Sequence, residues 1–142
     1  KIMIAYLRGL ILRAESDRVI VRLGGIGYEV FVSALTLPQL GHGNEHNFWI
    51  YTAVSENAID LYGFLTYRDK QLFELLISVQ GMGLKSAMRM FSAMEGRSIA
   101  QAISDGDVVS LTTIQGIGDK TAKNLIRELA NRMEPLLSEV EG

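Results

Sequence analysis

The sequence predicts an α+β protein of two domains, with an all-β domain first and an all-helical domain after it. Three observations predict this. Short strand-like segments fill the first part of the chain, the apolar residues change to a helical period near residue 65, and a Gly-x-Gly motif occurs twice after that change. Hydrophobic residues make up 48% of the 142 residues, which suffices for packed cores. We expect domains at 1–64 and 65–135, with the start of a linker at 136–142.

Five strands are predicted from runs rich in Ile, Leu, Val and aromatic residues, which turn residues separate. The bend at 23–27 is dense in glycine, and 41–44 has the composition of a turn. Between them a short helix is expected at 35–40, where Pro38 interrupts it. The predicted strands are 3–14, 18–23, 28–32, 48–54 and 59–64. Five short strands predict a small closed barrel or a sandwich.

The second domain is predicted to be helical because its apolar residues recur at spacings of three and four. Asp105 and Gly106 are expected to end the third helix, and Pro135 falls near the end of the last one. The apolar stripes mark helices around 72–79, 84–94, 99–103, 108–114 and 122–133.

An internal repeat with an offset of 35 residues is the most informative feature of the sequence. The first copy is Gln80-Gly-Met-Gly-Leu-Lys-Ser-Ala87 and the second is Gln115-Gly-Ile-Gly-Asp-Lys-Thr-Ala122, with five of eight positions identical. Each copy stands between one helical stretch and the start of the next. Two copies are too few for a solenoid, which needs at least about three repeats.

The Gly-x-Gly pattern between helices suits phosphate binding. Glycine permits a tight turn, and the apolar residue between the glycines, Met82 or Ile117, is expected to point inward. The N–H groups that begin the next helix then face outward without partners, where a phosphate is a natural ligand. One such motif alone is more often a simple turn; two matched copies with matched lysines favour phosphate binding. Neither copy has Walker A or dinucleotide-binding spacing.

Charge supports the same prediction for the helical domain. The chain has 14 basic and 16 acidic residues, which argues against a generic polycation but leaves room for a basic face. Residues 64–133 carry nine basic and seven acidic side chains. Helical spacing places Lys85 and Arg89 on one face of the helix after the first motif. It likewise places the cations of the second motif on one face of the helix that follows it. Those cations are Lys120, Lys123 and Arg127.

The sequence resembles the RuvA family, whose members bind Holliday junctions in the bacterial branch-migration complex. The resemblance rests on Tyr6-Leu-Arg-Gly9, Leu23-Gly-Gly-Ile-Gly-Tyr-Glu-Val30, Leu61-Tyr-Gly-Phe64 and the two motifs, in that order. It implies a five-stranded oligonucleotide-binding (OB) barrel, tandem helix-hairpin-helix motifs, and a homotetramer, single or paired face to face, on a four-way DNA junction. The DNA contacts it implies are Gly81, Gly83, Lys85, Gly116, Gly118, Lys120 and Lys123, to which helix geometry adds Arg89 and Arg127.

The resemblance also implies an acidic pin at the junction centre, on the hairpin before Leu61. Family members often have a basic residue followed by two acids at this hairpin. This chain has Ser55, Glu56 and Asn57 there, so one carboxylate of the pair is missing. Exposed charges interact by only about 1 kcal/mol at 4 Å in water, and we therefore expect a weaker pin.

Family members continue through a linker into a third helical domain that contacts the RuvB motor ATPase. This chain ends at Gly142, within the expected linker, so we expect DNA binding with poor coupling to the motor. The resemblance also implies contact with the RuvC resolvase and a bacterial cytoplasmic location. No signal peptide or apolar run of membrane-spanning length is recognisable in the sequence, and no cofactor is expected.

No catalytic constellation is recognisable in the sequence. Cysteine is absent, which excludes thiolate metal sites and a Cys nucleophile. His42 and His46 flank a glycine-containing turn, and we interpret them as part of a solvated loop rather than as metal ligands. Trp49 and Tyr51 are expected to be buried in the core or an interface rather than to stack on bases.

Three other functions remain open at this point. A general DNA-binding module without junction selectivity would use the barrel as a reader rather than as an assembly platform. A repair nuclease or glycosylase needs a catalytic carboxylate, and Asp119 stands inside the hairpin, where an acid at a helix start is expected for stability. A protein-only scaffold would have no affinity for DNA.

Overall fold

A computed structural model describes residues 3–138 of the chain. The strands are β1 (Tyr6–Ala14), β2 (Arg18–Leu23), β3 (Ile26–Phe31), β4 (Glu45–Val54) and β5 (Ile59–Phe64). The helices are α1 (Tyr67–Ile77), α2 (Leu84–Ala93), α3 (Gly96–Ser104), α4 (Val108–Thr112), α5 (Asp119–Leu129) and α6 (Glu134–Leu137). Short 3-10 turns lie at Leu37–Gln39 and Ala130–Arg132. The predicted order of strands followed by helices is confirmed.

The five strands form a closed barrel in the order β1-β2-β3-β5-β4, with β4 pairing back to β1. Neighbouring strands are antiparallel, except that β3 and β5 pair in parallel through Val30↔Leu61 and Phe31↔Tyr62. This is the strand order of an OB fold, so the barrel is confirmed over the sandwich. Its core contains apolar side chains from all five strands, together with Val32 and Leu40 from the segment between β3 and β4. The strand residues of this core are Leu7, Ile11, Val19, Val21, Val30, Phe48, Ile50 and Leu61.

Gly63 allows β5 to close the barrel. A β-carbon at this position would lie 2.5 Å from Val30 Cγ1, which is closer than carbon atoms pack, and a tight 3.1 Å from Phe48 Cδ1. The absence of a side chain therefore lets two interior residues of neighbouring strands approach the backbone of β5.

The chain divides into two compact units between Lys70 and Gln71, within α1, whereas the sequence placed the boundary a few residues earlier. The helical unit buries one apolar face of each longer helix, as the helical spacing predicted. Its fully buried large side chains include Leu72, Phe73, Leu76, Met90, Ile99, Ile103, Leu111, Leu125 and Leu129. Within residues 3–138, no helix is long and apolar enough to cross a membrane.

The C-terminal end of the helical unit differs from the prediction. The last long helix ends at Leu129 rather than continuing to 133, and Pro135 lies in the first turn of α6. Proline is well tolerated there because the first N–H groups of a helix need no partner within it. Leu136 is buried, so packed structure continues past 135, where a linker was expected. The rest of that segment, 139–142, lies outside the described residues.

Candidate nucleic-acid interface

Two glycine corners connect helices in the same way. One joins α1 to α2 through Gly81 and Gly83, and the other joins α4 to α5 through Gly116 and Gly118. Gly81 has a φ of 93° and Gly116 a φ of 91°, both in the left-handed region that disfavours residues with a β-carbon. The first glycine of each motif is therefore required by backbone geometry.

Hydrogen bonds show that the two corners are structurally equivalent. The Met82 N–H donates to the Val79 carbonyl, and the Ile117 N–H donates to the Ile114 carbonyl, each at 3.0 Å. Met82 is 9% exposed and Ile117 is 4% exposed, so the apolar residue between the glycines anchors each corner in the core. This confirms the inward orientation that the sequence predicted.

The second glycine of each motif begins a helix. Gly83 and Gly118 are the N-cap residues of α2 and α5, and neither helix has a side chain that caps its first N–H groups. The first-turn N–H groups lack intrahelical partners, and the helix dipole makes this end positive. Both corners are exposed, so they present donors to an anion outside the protein.

The candidate cations on these helices differ in how free they are. Lys85, Arg89 and Lys120 are exposed, and their side chains make no hydrogen bond or ion pair with any of residues 3–138. Lys123 is bound to Asp119, with 2.8 Å between Nζ and Oδ2, and this hydrogen bond raises the pKa of Lys123. Lys123 therefore remains protonated, but the neighbouring carboxylate offsets its charge.

Arg127 is also engaged. Its guanidinium donates to Asn124 Oδ1 at 2.7 Å and lies 4.0 Å from Glu128 Oε2. Arg127 therefore lies on the exposed face of α5, as helix geometry predicted, but with its donors partly occupied. Of the second motif's three cations, Lys120 alone lacks a partner within the described residues.

Cross-contacts between the two motifs were not evident from the sequence. A β-carbon at Gly81 would lie 3.1 Å from Thr121 Oγ1, and one at Gly116 would lie 2.7 Å from Arg89 Nη1. Each motif therefore places a polar side chain of its helix against the corner of the other. The offset of 35 pairs Thr121 with Ser86 but pairs Arg89 with Asn124, so the arginine occurs in one copy only.

The β4–β5 turn projects two exposed polar side chains, Glu56 and Asn57. The turn is closed by the Ser55 N–H, which donates to the Ala58 carbonyl at 2.9 Å. One carboxylate is therefore presented at the tip of this hairpin.

The other residues weighed in the sequence lie in ordinary structural positions. His46 belongs to β4 rather than to a loop, because the strand begins at Glu45, three residues before the predicted start. Its side chain is half-buried. Trp49 is half-buried between the rings of Tyr6 and Tyr67, with centroids 4.9 and 5.0 Å away. Among residues 3–138, no cluster of His, Asp or Glu has the arrangement of a metal site.

Comparison with known proteins identifies the family. Residues 3–63 match the RuvA N terminal domain, and residues 73–131 match the SAM-like helix-hairpin-helix tandem. A Holliday junction branch migration complex subunit RuvA from Acidobacterium capsulatum is 41% identical over 137 residues, which cover 96% of this chain and 69% of that relative. The chain belongs to the RuvA family.

Further RuvA proteins agree over nearly the whole chain. Those from Solibacter usitatus and an Anaeromyxobacter species are each 38% identical over 141 residues, covering 99% of this chain and 72% and 71% of the relatives. The RuvA N-terminal match includes the β4–β5 turn, and the tandem match includes both glycine corners. All the candidate DNA-contact residues thus lie within regions that characterise the family.

Proposed function

We propose that this RuvA-family chain binds four-way DNA junctions in a structure-selective, sequence-independent manner and supports branch migration in recombination and repair. The observation that carries the proposal is the pair of matched glycine corners, each with an exposed helix start and an unpaired lysine. Both corners suit backbone phosphates, which position a protein on DNA but carry no sequence information.

Each corner binds one phosphate in this proposal. The first-turn N–H groups of α2 or α5 donate to the phosphate oxygens, and Lys85 or Lys120 neutralises the charge. Gly83 and Gly118 have open space where a β-carbon would lie, so the DNA backbone can approach there, while the positive φ of Gly81 and Gly116 forms the turn of each corner. Arg89, Lys123 and Arg127 add positive charge at the rim, with Lys123 and Arg127 weakened by their protein partners.

Selectivity for a four-way junction arises from assembly in this proposal. Four copies present eight corners, which match the four duplex arms, and the barrel serves as the assembly platform. Several weak phosphate contacts on one rigid assembly give far tighter binding than a single corner. Paired tetramers, contact with a RuvB motor and with RuvC, and action in the bacterial cytoplasm belong to the same proposal.

The β4–β5 turn acts as the pin of this assembly. Glu56 repels phosphates near the crossover and helps to keep strands apart, while Asn57 adds no charge. Because the interaction of exposed charges is of the order of 1 kcal/mol at 4 Å, a single carboxylate gives a weak pin. The chain is therefore expected to bind junctions well and to separate strands less strongly than members with two acids.

A gel-shift titration of a four-way junction and of a linear duplex with the same arm sequence tests the proposal. We expect at least about tenfold tighter binding to the junction, together with a rise in solution mass to a tetramer or octamer. Arg132→Gln, an exposed change outside both corners, serves as the matched control and should bind like the wild type. Equal affinity for both DNAs by a monomer would instead favour a general DNA-binding module.

A further inference from the structure

Arg89 belongs to the first motif but lies against the corner of the second. A β-carbon at Gly116 would lie 2.7 Å from Arg89 Nη1, 3.7 Å from its Cδ and 3.8 Å from its Cζ. The guanidinium and the methylene next to it therefore cover the open side of Gly116. A glycine at 116 is needed both for the φ of 91° and for this close approach.

The guanidinium of Arg89 is available for a ligand. It is exposed and makes no hydrogen bond or ion pair within residues 3–138. A guanidinium has five donors in a planar fork that matches two phosphate oxygens, and it remains charged at any ordinary pH. Its position over Gly116 places this fork beside the corner from which α5 begins at Asp119.

We propose that Arg89 is a phosphate ligand of the second corner, so that one phosphate is bound jointly by α2 and α5. The inference rests on the proposed function and deepens it. The Gly118 corner contributes the N–H groups at the start of α5, Lys120 contributes a point charge, and Arg89 contributes two directed hydrogen bonds. The two motifs therefore act as one unit rather than as two independent sites.

The two corners differ in charge, because α5 places no cation against the first corner. The repeat relates Arg89 to Asn124, which is 9% exposed and accepts a hydrogen bond from Arg127, so α5 supplies no equivalent cation to the first corner. What α5 places beside Gly81 is the neutral hydroxyl of Thr121. The second corner therefore contributes more to the salt dependence of DNA binding than the first.

The first test replaces the arginine and measures junction binding over a range of salt. Arg89→Gln is expected to raise Kd about tenfold at low salt and to lower the slope of log K against log salt, by at most about 0.9 for each protomer of the assembly, the value for one lost phosphate contact. Arg89→Lys keeps the charge but loses the fork, so it should retain the slope and recover only part of the affinity. Arg132→Gln is the control for a lost surface charge.

A double-mutant cycle tests the position of Arg89. Gly116→Ala displaces the guanidinium, so it should weaken binding in the wild type but add little when Arg89→Gln is already present. Gly81→Ala imposes a similar positive-φ strain without touching Arg89, and its effect should add to that of Arg89→Gln. Thermal melting of each variant confirms that it is folded before binding is compared.

The outcomes separate this inference from the proposed function. If the wild type binds the junction but Arg89→Gln keeps its Kd and slope, Arg89 is not a ligand and the inference is wrong. Additive effects of Gly116→Ala and Arg89→Gln would equally place Arg89 away from the second corner. A wild type that binds no junction would overturn the proposed function itself.

Discussion

Single residues determine how much of the positive charge beside the second glycine corner is available to bind DNA. Lys120 and Lys123 lie on the same helix and are both exposed, but Asp119 holds Lys123 at 2.8 Å. Asp119 also favours the start of α5 through the helix dipole. The same carboxylate that stabilises the helix therefore competes with the phosphate that the corner is proposed to bind.

The difference between these two lysines can be measured directly. Lys120→Gln is expected to lower the slope of log K against log salt by up to about 0.9 for each protomer of the assembly, whereas Lys123→Gln should lower it by clearly less because Asp119 already offsets that charge. Fluorescence anisotropy with labelled junction DNA from 50 to 200 mM salt gives both slopes. Asp119→Asn provides the complementary variant, and it should tighten binding several-fold by releasing Lys123.

Equal slopes for Lys120→Gln and Lys123→Gln would contradict the role assigned to Asp119. Asp105→Asn is the matched control for loss of a carboxylate, since Asp105 is exposed at the end of α3 and lies outside both motifs. It should leave DNA binding unchanged.

At the scale of elements, the short helix α4 positions the second corner. It spans only Val108–Thr112, so it depends on its cap and its buried Leu111 more than on its own hydrogen bonds. Asp107 caps it by accepting from the Ser110 N–H at 3.0 Å and the Ser110 hydroxyl at 2.6 Å. These hydrogen bonds lower the pKa of Asp107 in the folded protein.

The cap predicts a specific pH dependence of stability. A carboxyl whose folded pKa lies below its unfolded value stabilises the fold at pH above the unfolded pKa, near 4 for Asp, and this contribution is lost as the pH falls through the folded pKa. Asp107→Ala should therefore lower the melting temperature by a few degrees at pH 7, with the difference from wild type shrinking below about pH 4. A difference that stays constant down to pH 2 would contradict the assignment. Asp105→Ala is the control.

The sequence predicted the elements well because their signals are local. Alternating residues marked the strands, helical spacing marked the helices, and the repeat marked both corners. It missed the break after Leu129, because Met133 continues the apolar spacing of Leu125 and Leu129 and is equally compatible with one longer helix. It also missed the contacts Arg89–Gly116 and Thr121–Gly81, since a contact between two motifs depends on tertiary packing that spacing along one helix does not encode.

At the scale of the whole molecule, the charge distribution is consistent with DNA binding through the helical part. The chain carries a net charge of −2, yet its helical part presents unpaired lysines at both corners. Binding is therefore expected to be local to the corners and steeply salt-dependent rather than a general attraction of DNA to the surface. Assembly into the proposed tetramer would multiply these local contacts.

Hydrogen–deuterium exchange of the wild-type chain, with and without a four-way junction, tests the central claim most directly. If the glycine corners bind backbone phosphates, amides in 80–87 and in 115–122 should both gain protection with the junction, and less so with an equal amount of linear duplex. Full occupancy by the junction with unchanged exchange in both segments would contradict the account.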